Sequence, residues 1–290
     1  MICEIFNEDC VNFLNNYSGK DFDLTFLDPP FNQSKKYRNH DDNMNHQEYW
    51  DWMKLVCEFV YKKSSDGAAI YFMQREKNTH HVLNILEATG WTFQNLIIWK
   101  KKTSAVPSKI RYGKHYQIIA FATKGSTPRV FNKLRIDPPL LVTEKYERPN
   151  GMYVTDVWDD IRELTSGYLA GDEPLRNKNG ERVHKQQSPV QLLLRIILSS
   201  TNINDTVFDP FAGTGTTLIV AKQLLRNSIG VEIDPINVKY IENRITKLRP
   251  SDILEIHRNY YRYTKDLNSI WPSRDEIISL YQEVDQLEMF

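Results

Sequence analysis

Two short stretches of this chain end an apolar run in an acidic residue and then change backbone character abruptly. Strand ends of that kind are where open α/β sheets bind ligands. The first is Asp28-Pro29-Pro30-Phe31, directly after the apolar run Leu24 to Leu27. Two prolines fix an extended backbone and remove two N–H donors, so the neighbouring carbonyls stay free to accept hydrogen bonds. With a carboxylate before them and an aromatic ring after them, the stretch can accept both hydrogens of an exocyclic amine while Phe31 stacks on the ring that carries it. A Pro-rich turn is spelled the same way. Asp137-Pro138-Pro139-Leu140 repeats the tripeptide without a long apolar strand before it or an aromatic after it, and reads as a loop.

The second stretch, Asp205 to Thr217 (DTVFDPFAGTGTT), runs from a strand through a Gly-containing turn into a helix. Gly213 and Gly215 let the backbone approach a ligand closely. Glu232 lies nineteen residues past Gly213, at the end of the run Ser228 to Val231, where an acid suits the two hydroxyls of a ribose. Glycine pairs also serve ordinary turns, so the weight falls on strand, turn, helix and distant acid together. No GxxxxGK[ST] run is present, and Leu218 stands where the GxGxxG pattern needs its third glycine, which disfavours a pyrophosphate-bearing cofactor.

The elements that must hold these residues are legible as an alternation. Strand-like runs occur at Leu24 to Asp28, Ala68 to Phe72, Leu96 to Trp99, Ile118 to Thr123 and Thr206 to Asp209. Between them, Gln47 to Lys62 carries one apolar face at three- and four-residue spacing, which predicts an amphipathic helix. Pro189 precedes Val190 to Ser200, a helix apolar on most sides and therefore buried, and Asn78 to Thr89, Thr216 to Arg226 and Pro235 to Leu248 read as further helices. The pattern predicts a doubly wound α/β fold with a mostly parallel sheet.

The chain of 290 residues, 41% apolar, is long enough for one large domain or two small ones without covalent staples. Its 37 basic and 37 acidic residues cancel, so an anionic partner must be held by local clustering. Clustering exists: between Lys100 and Arg148 stand twelve Lys or Arg against three acids, an excess of nine, with Tyr112, Tyr116, Phe121, Phe131 and Tyr146 interleaved. A solvated basic face is one reading and a nucleic-acid surface the other. The region from Thr103 to Val183 is rich in Pro, Gly, Lys and Arg and weak in helical period, and reads as an insertion or separate lobe. Cys3, Cys10 and Cys57 form no CxxC pair and read as reduced thiols. No metal site is expected. Neither a secretion leader nor a membrane span is legible, which points to a cytosolic chain.

Taken together, DPPF near the N-terminus and DPFAGTGTT much later resemble the amino-directed DNA methyltransferases that use S-adenosylmethionine. The order of parts resembles their β class, a circular permutation in which the catalytic tetrapeptide comes first, then a target-recognition region, then the cofactor loop. The resemblance spans roughly residues 1 to 249. It implies a Rossmann-like methyltransferase fold divided into 1–102 (catalytic half), 103–183 (target recognition) and 184–249 (cofactor half), with 250–290 a helical extension of unassigned role. It further implies that Asp28, Pro29, Pro30 and Phe31 are catalytic. The cofactor would lie beside Asp28, Asp209, Phe211, Ala212, Gly213, Thr214 and Gly215, with Glu232 and its neighbour Ile233 at the ribose. Asn7-Glu8-Asp9-Cys10 resembles the family stretch in which Asp9 and Cys10 would meet the adenine; as a bland alternative, Asp9 caps a helix over Val11 to Asn15. His184-Lys-Gln-Gln-Ser-Pro189 resembles the family's HPxQKP stretch. Lys185 replaces the family proline and Ser188 the family lysine, so His184, Gln187 and Pro189 carry that match, with Gln187 at the cofactor's methionine end.

The resemblance implies base flipping and methyl transfer to an exocyclic nitrogen without a covalent enzyme intermediate. A leading Asp in the tetrapeptide is commoner in the family's adenine-N6 enzymes and a leading Ser in cytosine-N4 enzymes, so Asp28 favours adenine, with cytosine as the alternative. Duplex DNA would be held by Lys101, Lys102, Lys109, Arg111, Lys114, Arg129, Lys133 and Arg135. A cognate restriction endonuclease and a homodimer are partners the family allows. A nicotinamide-dependent oxidoreductase using Gly213 and Gly215 is a distant competitor; it leaves Asp28-Pro-Pro-Phe without a role.

Overall fold

Strands buried within a sheet are apolar on both faces, and the apolar runs noted above form strands. The computed structural model describes residues 1–35, 40, 42–103, 106–140, 146, 148–164, 171–184 and 186–281. Its strands are β1 (Cys3–Phe6), β2 (Phe22–Leu27), β3 (Ser64–Arg75), β4 (Trp91–Lys100), β5 (Tyr116–Lys124), β6 (Arg135–Ile136), β7 (Met152–Tyr153), β8 (Val157–Trp158), β9 (Thr206–Asp209) and β10 (Asn227–Val231). Its helices are α1 (Cys10–Asn16), α2 (His46–Lys62), α3 (Thr79–Ala88), α4 (Val190–Ser200), α5 (Thr216–Gln223), α6 (Pro235–Thr246), α7 (Leu267–Ile270) and α8 (Arg274–Ser279).

Eight strands form one sheet in the order β1-β10-β9-β2-β3-β5-β4-β8, and β6 pairs with β7 apart from it. All neighbours are parallel except β5, which runs antiparallel between β3 and β4. The strand carrying DPPF and the strand carrying DPFAGTGTT lie side by side, with Leu24 opposite Val207 and Thr25 opposite Phe208. Beyond β2 the chain moves outward to β3; beyond β9 it moves the other way to β10, outside which lies β1. The two motifs therefore emerge at the point where strand order reverses, the place a doubly wound sheet opens its crevice.

Alternation within a strand assigns the faces. Ala69, Tyr71 and Met73 join the core formed by α4 and α5, while Ile70 and Phe72 join that formed by α1, α2 and α3. Helix α4 is buried along its whole length, as its composition predicts. Its one charge, Arg195, forms a bidentate pair with Asp160, whose carboxylate also accepts from the Tyr260 hydroxyl.

Two expectations are corrected. Helix α5 stops at Gln223 rather than Arg226, because Leu225 turns to φ +59° and Arg226 folds inward. There its guanidinium donates to the Thr201 hydroxyl and carbonyl and to the Ile270 carbonyl. The region 103–183 is not a lobe apart, since β5 fills a central position of the sheet and β8 its edge. The segment that follows 250 packs onto the same body: Leu254, Tyr261, Ile270 and Trp271 are buried in the α4 core. Glu144, Lys145 and Glu147 of the basic region, Lys185, and the chain end from 282 lie outside the described residues.

Candidate active site

A cavity of about 340 Å³ opens at the carboxyl ends of β2, β9 and β10, a size within the usual range of small-molecule sites. Its walls include Asp28, Pro29 and Pro30 from the end of β2, and Asp209, Phe211, Ala212, Gly213 and Thr214 from the turn after β9. Glu232 and Ile233 after β10, Asp9 and Cys10 at the start of α1, and Gln187 and Ser188 before α4 complete the ring.

The turn after β9 is shaped by its glycines. Gly213 and Gly215 hold φ of +55° and +76°, a region that L side chains rarely enter. A Cβ on Gly213 would meet nothing nearer than 3.8 Å, an ordinary contact with His184 and the Phe211 carbonyl; one on Gly215 would lie 2.8 Å from Cγ2 of the buried Ile241. Gly215 is thus a packing residue and does not line the cavity. Arg244, buried in α6, donates to the Thr214 carbonyl at 2.7 Å and is itself held by Asp252. Sequence reading missed this brace, which spans 30 residues.

Glu232 is positioned before any ligand arrives. Oε2 accepts from the Gly213 N–H at 2.8 Å and Oε1 from the Asp234 N–H at 2.9 Å, while Asn7 Nδ2 donates to the Glu232 carbonyl. Asp209 accepts from the Phe211 N–H and from the Thr217 hydroxyl. Burial pushes the Asp209 carboxyl up to about 7, against those hydrogen bonds, and raises Glu232 as well. Asp9 caps α1, accepting from Val11 and Asn12 at 2.9 and 3.1 Å. The bland role is therefore present, on a residue that also lines the cavity. Cys10 is buried and its thiol is pushed up, so it stays protonated.

Asp28 is the most perturbed of these acids. Burial pushes its carboxyl up to about 8, with Asp209 adding to the rise and the Ser188 hydrogen bond, Lys35 and Lys101 opposing it. The prolines behind it are held as well. The Pro30 carbonyl accepts from the Tyr49 hydroxyl at 2.7 Å, which in turn accepts from Gln74 Nε2 at 2.9 Å. Among the described residues no donor reaches the Pro29 carbonyl.

Other sequence expectations are redistributed. Phe31 is only 4% exposed and belongs to the α4 core rather than to the cavity wall, so in this conformation it offers no plate to a ring in the cavity. Gln187 spends its amide on Leu175 N–H and the Glu173 carbonyl, which makes it a clamp on residues 173–175. Trp52, whose spacing placed it on a helix face, lines the cavity and meets the Phe211 ring edge-on at 5.5 Å.

The basic residues divide by place. Lys102, Lys109 and Arg111 are exposed on the connection from β4 to β5, at the sheet end that carries Asp28. There Ile110 and Tyr112 are also exposed, the latter at 98%, and Lys114 pairs with Glu76 at 3.2 Å. Lys101 is half-buried and close enough to Asp28 and Glu163 for both to act on it. Arg129 is not at this end: it bridges Asp23, near the start of β2, and Asp205, just before β9, at the opposite end of the strands. Lys133 follows Asn132, which donates to carbonyls at the far end of α4. Arg135 donates to the Asn150 carbonyl and stacks over Tyr153. These three are structural cations or remote ones, because charge alone does not say which end of a sheet a loop reaches.

The model of a DNA methylase family matches residues 22–243 of the chain. The chain belongs to that family. The type II methyltransferase M.HpaI of Haemophilus parainfluenzae is 31% identical over 235 residues, covering 81% of this chain and 70% of its own length. M1.MboII of Moraxella bovis is 28% identical over 256 residues, covering 83% of this chain and 94% of its own length. The fold is that of the M1.HpyAVI–SAM complex, with TM-score 0.56 at 22% identity over 85% of this chain and all of that one. That neighbour is a complex with S-adenosylmethionine, and the cavity here has the chemistry to take such a ligand. Glu232 offers a carboxylate for hydroxyl donors, Gly213 offers bare backbone, Ile233, Phe211 and Trp52 offer apolar surface, and the surplus of acids suits a cationic ligand.

Proposed function

We propose that the methylase transfers a methyl group to the N6 amino group of adenine at a defined site in duplex DNA, as the modification half of a restriction-modification pair in the prokaryotic cytoplasm. The reading is carried by one observation: Asp28 and Pro29 line the same cavity as Gly213 and Glu232. An amine donor and a nucleoside cofactor held there would share one enclosed space. When bound, S-adenosylmethionine supplies a methyl carbon activated by a positively charged sulfur.

The chain's own residues do the rest. An exocyclic amine is a poor nucleophile because its lone pair is delocalised into the ring. Asp28 and the Pro29 carbonyl accept its two hydrogens, which favours a tetrahedral nitrogen with a localised lone pair. Tyr49, by occupying the Pro30 carbonyl, fixes the peptide planes that aim the Pro29 carbonyl. A base inside a duplex cannot reach the end of β2, so it is flipped. Phe31 would have to leave its core position to stack on it. Lys102, Lys109 and Arg111 on the β4–β5 connection hold the flanking phosphates.

Incubation with tritiated S-adenosylmethionine and duplex DNA of mixed sequence, followed by nucleoside analysis, tests the reading. Label in N6-methyladenine is expected. Label in N4-methylcytosine would keep the site and reverse the base, and an unlabelled duplex would reject the reading.

A further inference from the structure

Ser188 stands where the family resemblance expects a lysine, and the structure gives its hydroxyl a different partner. Its Oγ donates to Asp28 Oδ2 at 3.0 Å, across 160 residues of chain. Ser188 is 8% exposed. Its backbone is fixed from both sides: Gln187 before it clamps Leu175 and Glu173, and Val190 after it donates its N–H to Glu173 Oε1 at 2.6 Å. One buried segment, residues 173–175, thus sets both the start of α4 and the place of the serine hydroxyl. Among the described residues no donor reaches Asp28 Oδ1.

We infer that Ser188 is a positioning residue for Asp28: by engaging Oδ2 it fixes the rotation of the carboxylate, leaves Oδ1 for the amine, and favours the ionised, accepting form. The inference rests on the proposed role of Asp28 as hydrogen-bond acceptor. A lysine here would place a mobile charge beside the carboxylate, whereas a serine on a clamped backbone supplies direction. The other charged groups that act on Asp28 are Asp209 from β9, which disfavours ionisation, and Lys35 and Lys101, which favour it. Removing the hydroxyl leaves those three in place and takes away one term that stabilises the carboxylate. Asp28 then ionises at higher pH, and transfer at neutral pH falls because less of the accepting form is present.

The test is single-turnover methyl transfer to duplex DNA between pH 6 and pH 9.5, with Ser188→Ala, Ser188→Thr and Asp28→Ala beside the wild type. Circular dichroism and cofactor titration by calorimetry verify fold and binding. In Ser188→Ala the rate at pH 7 is expected to fall about ten- to a hundredfold, the range for a hydrogen bond to a charged group. Its acidic limb should move up by about one pH unit, so that the deficit narrows at pH 9, and Ser188→Thr should restore both. A Ser188→Ala enzyme with the wild-type rate and limb overturns the inference, as does a loss that is equal at every pH and unrelieved by threonine. If Asp28→Ala is inactive in either case, the proposed role of Asp28 stands without its positioning residue. An active Asp28→Ala removes that role and the inference with it.

Discussion

Asp28→Asn replaces a half-buried carboxyl by a group of the same shape that cannot ionise, and its effect on stability is expected to depend on pH. In the folded protein the carboxyl is pushed from 3.8 up to about 8, burial being the largest cause. An acid whose folded pKa is raised contributes stability that is fully present below its unfolded pKa and is lost as pH rises through the folded one. Near pH 4 the wild type carries a neutral carboxyl, equivalent to the amide, and the two proteins should melt together. By pH 9 the wild type holds a desolvated charge that the variant lacks. A rise of about four units at 1.36 kcal/mol each sets a ceiling of about 6 kcal/mol. Asp28 borders an open cavity, where solvent screening reduces this to about 1–3 kcal/mol. For a chain of this size that is a gain of roughly 3–8 °C in Tm at pH 9. Calorimetric scans of both proteins at pH 4.5, 7 and 9 read it directly, since changes at Lys35, Lys101 and elsewhere are common to the pair. A difference in Tm that is independent of pH, or a variant less stable at pH 9, refutes the reasoning.

Further outcomes follow from the cofactor turn and the basic loop. Gly215→Ala should cost about 2–5 kcal/mol in urea denaturation, from left-handed backbone plus displacement of Ile241. Gly213→Ala should cost only about 1–2 kcal/mol, because its Cβ meets no atom nearer than 3.8 Å, yet weaken cofactor binding in calorimetry, because Gly213 lines the cavity. Arg244→Met leaves Asp252 buried with Arg249 alone and the Thr214 carbonyl unbraced; a loss of about 3–5 kcal/mol is expected in the same assay. Lys109→Gln with Arg111→Gln should reduce the slope of log affinity for duplex DNA against log salt by about 2, while Arg129→Gln leaves that slope unchanged in the same titration.

What could be read in advance depended on how local its cause was. Strands β2 and β9 were legible because burial on both faces writes a continuous apolar run, and α4 because it is apolar nearly all round. The two-residue strands β6, β7 and β8 are too short to show a period. The run Ile118 to Thr123 was readable as a strand, but its antiparallel seat between β3 and β4 is decided by pairing with distant chain. The same limit applies to side chains. Glu232 and Gly213 were found because a fixed spacing ties them, and the structure joins them by a hydrogen bond. The cationic type of Arg129 was visible, but not that its partners Asp23 and Asp205 hold it at the far end of the strands. Ser188 gave no local signal, since its partner lies 160 residues away. Tyr49 was concealed among the apolar residues of an amphipathic helix, although its hydroxyl holds the Pro30 carbonyl of the Asp28–Phe31 stretch.

If the end of β2 acts on an amine delivered to the cavity, Asp28→Ala should separate binding from transfer. Assayed in parallel for S-adenosylmethionine binding by calorimetry and for single-turnover methylation of duplex DNA, the variant is expected to fold, to bind cofactor within about tenfold of wild type and to transfer methyl groups at least about 10³-fold more slowly. Transfer within about tenfold of the wild-type rate would rule out a role for Asp28 in the reaction.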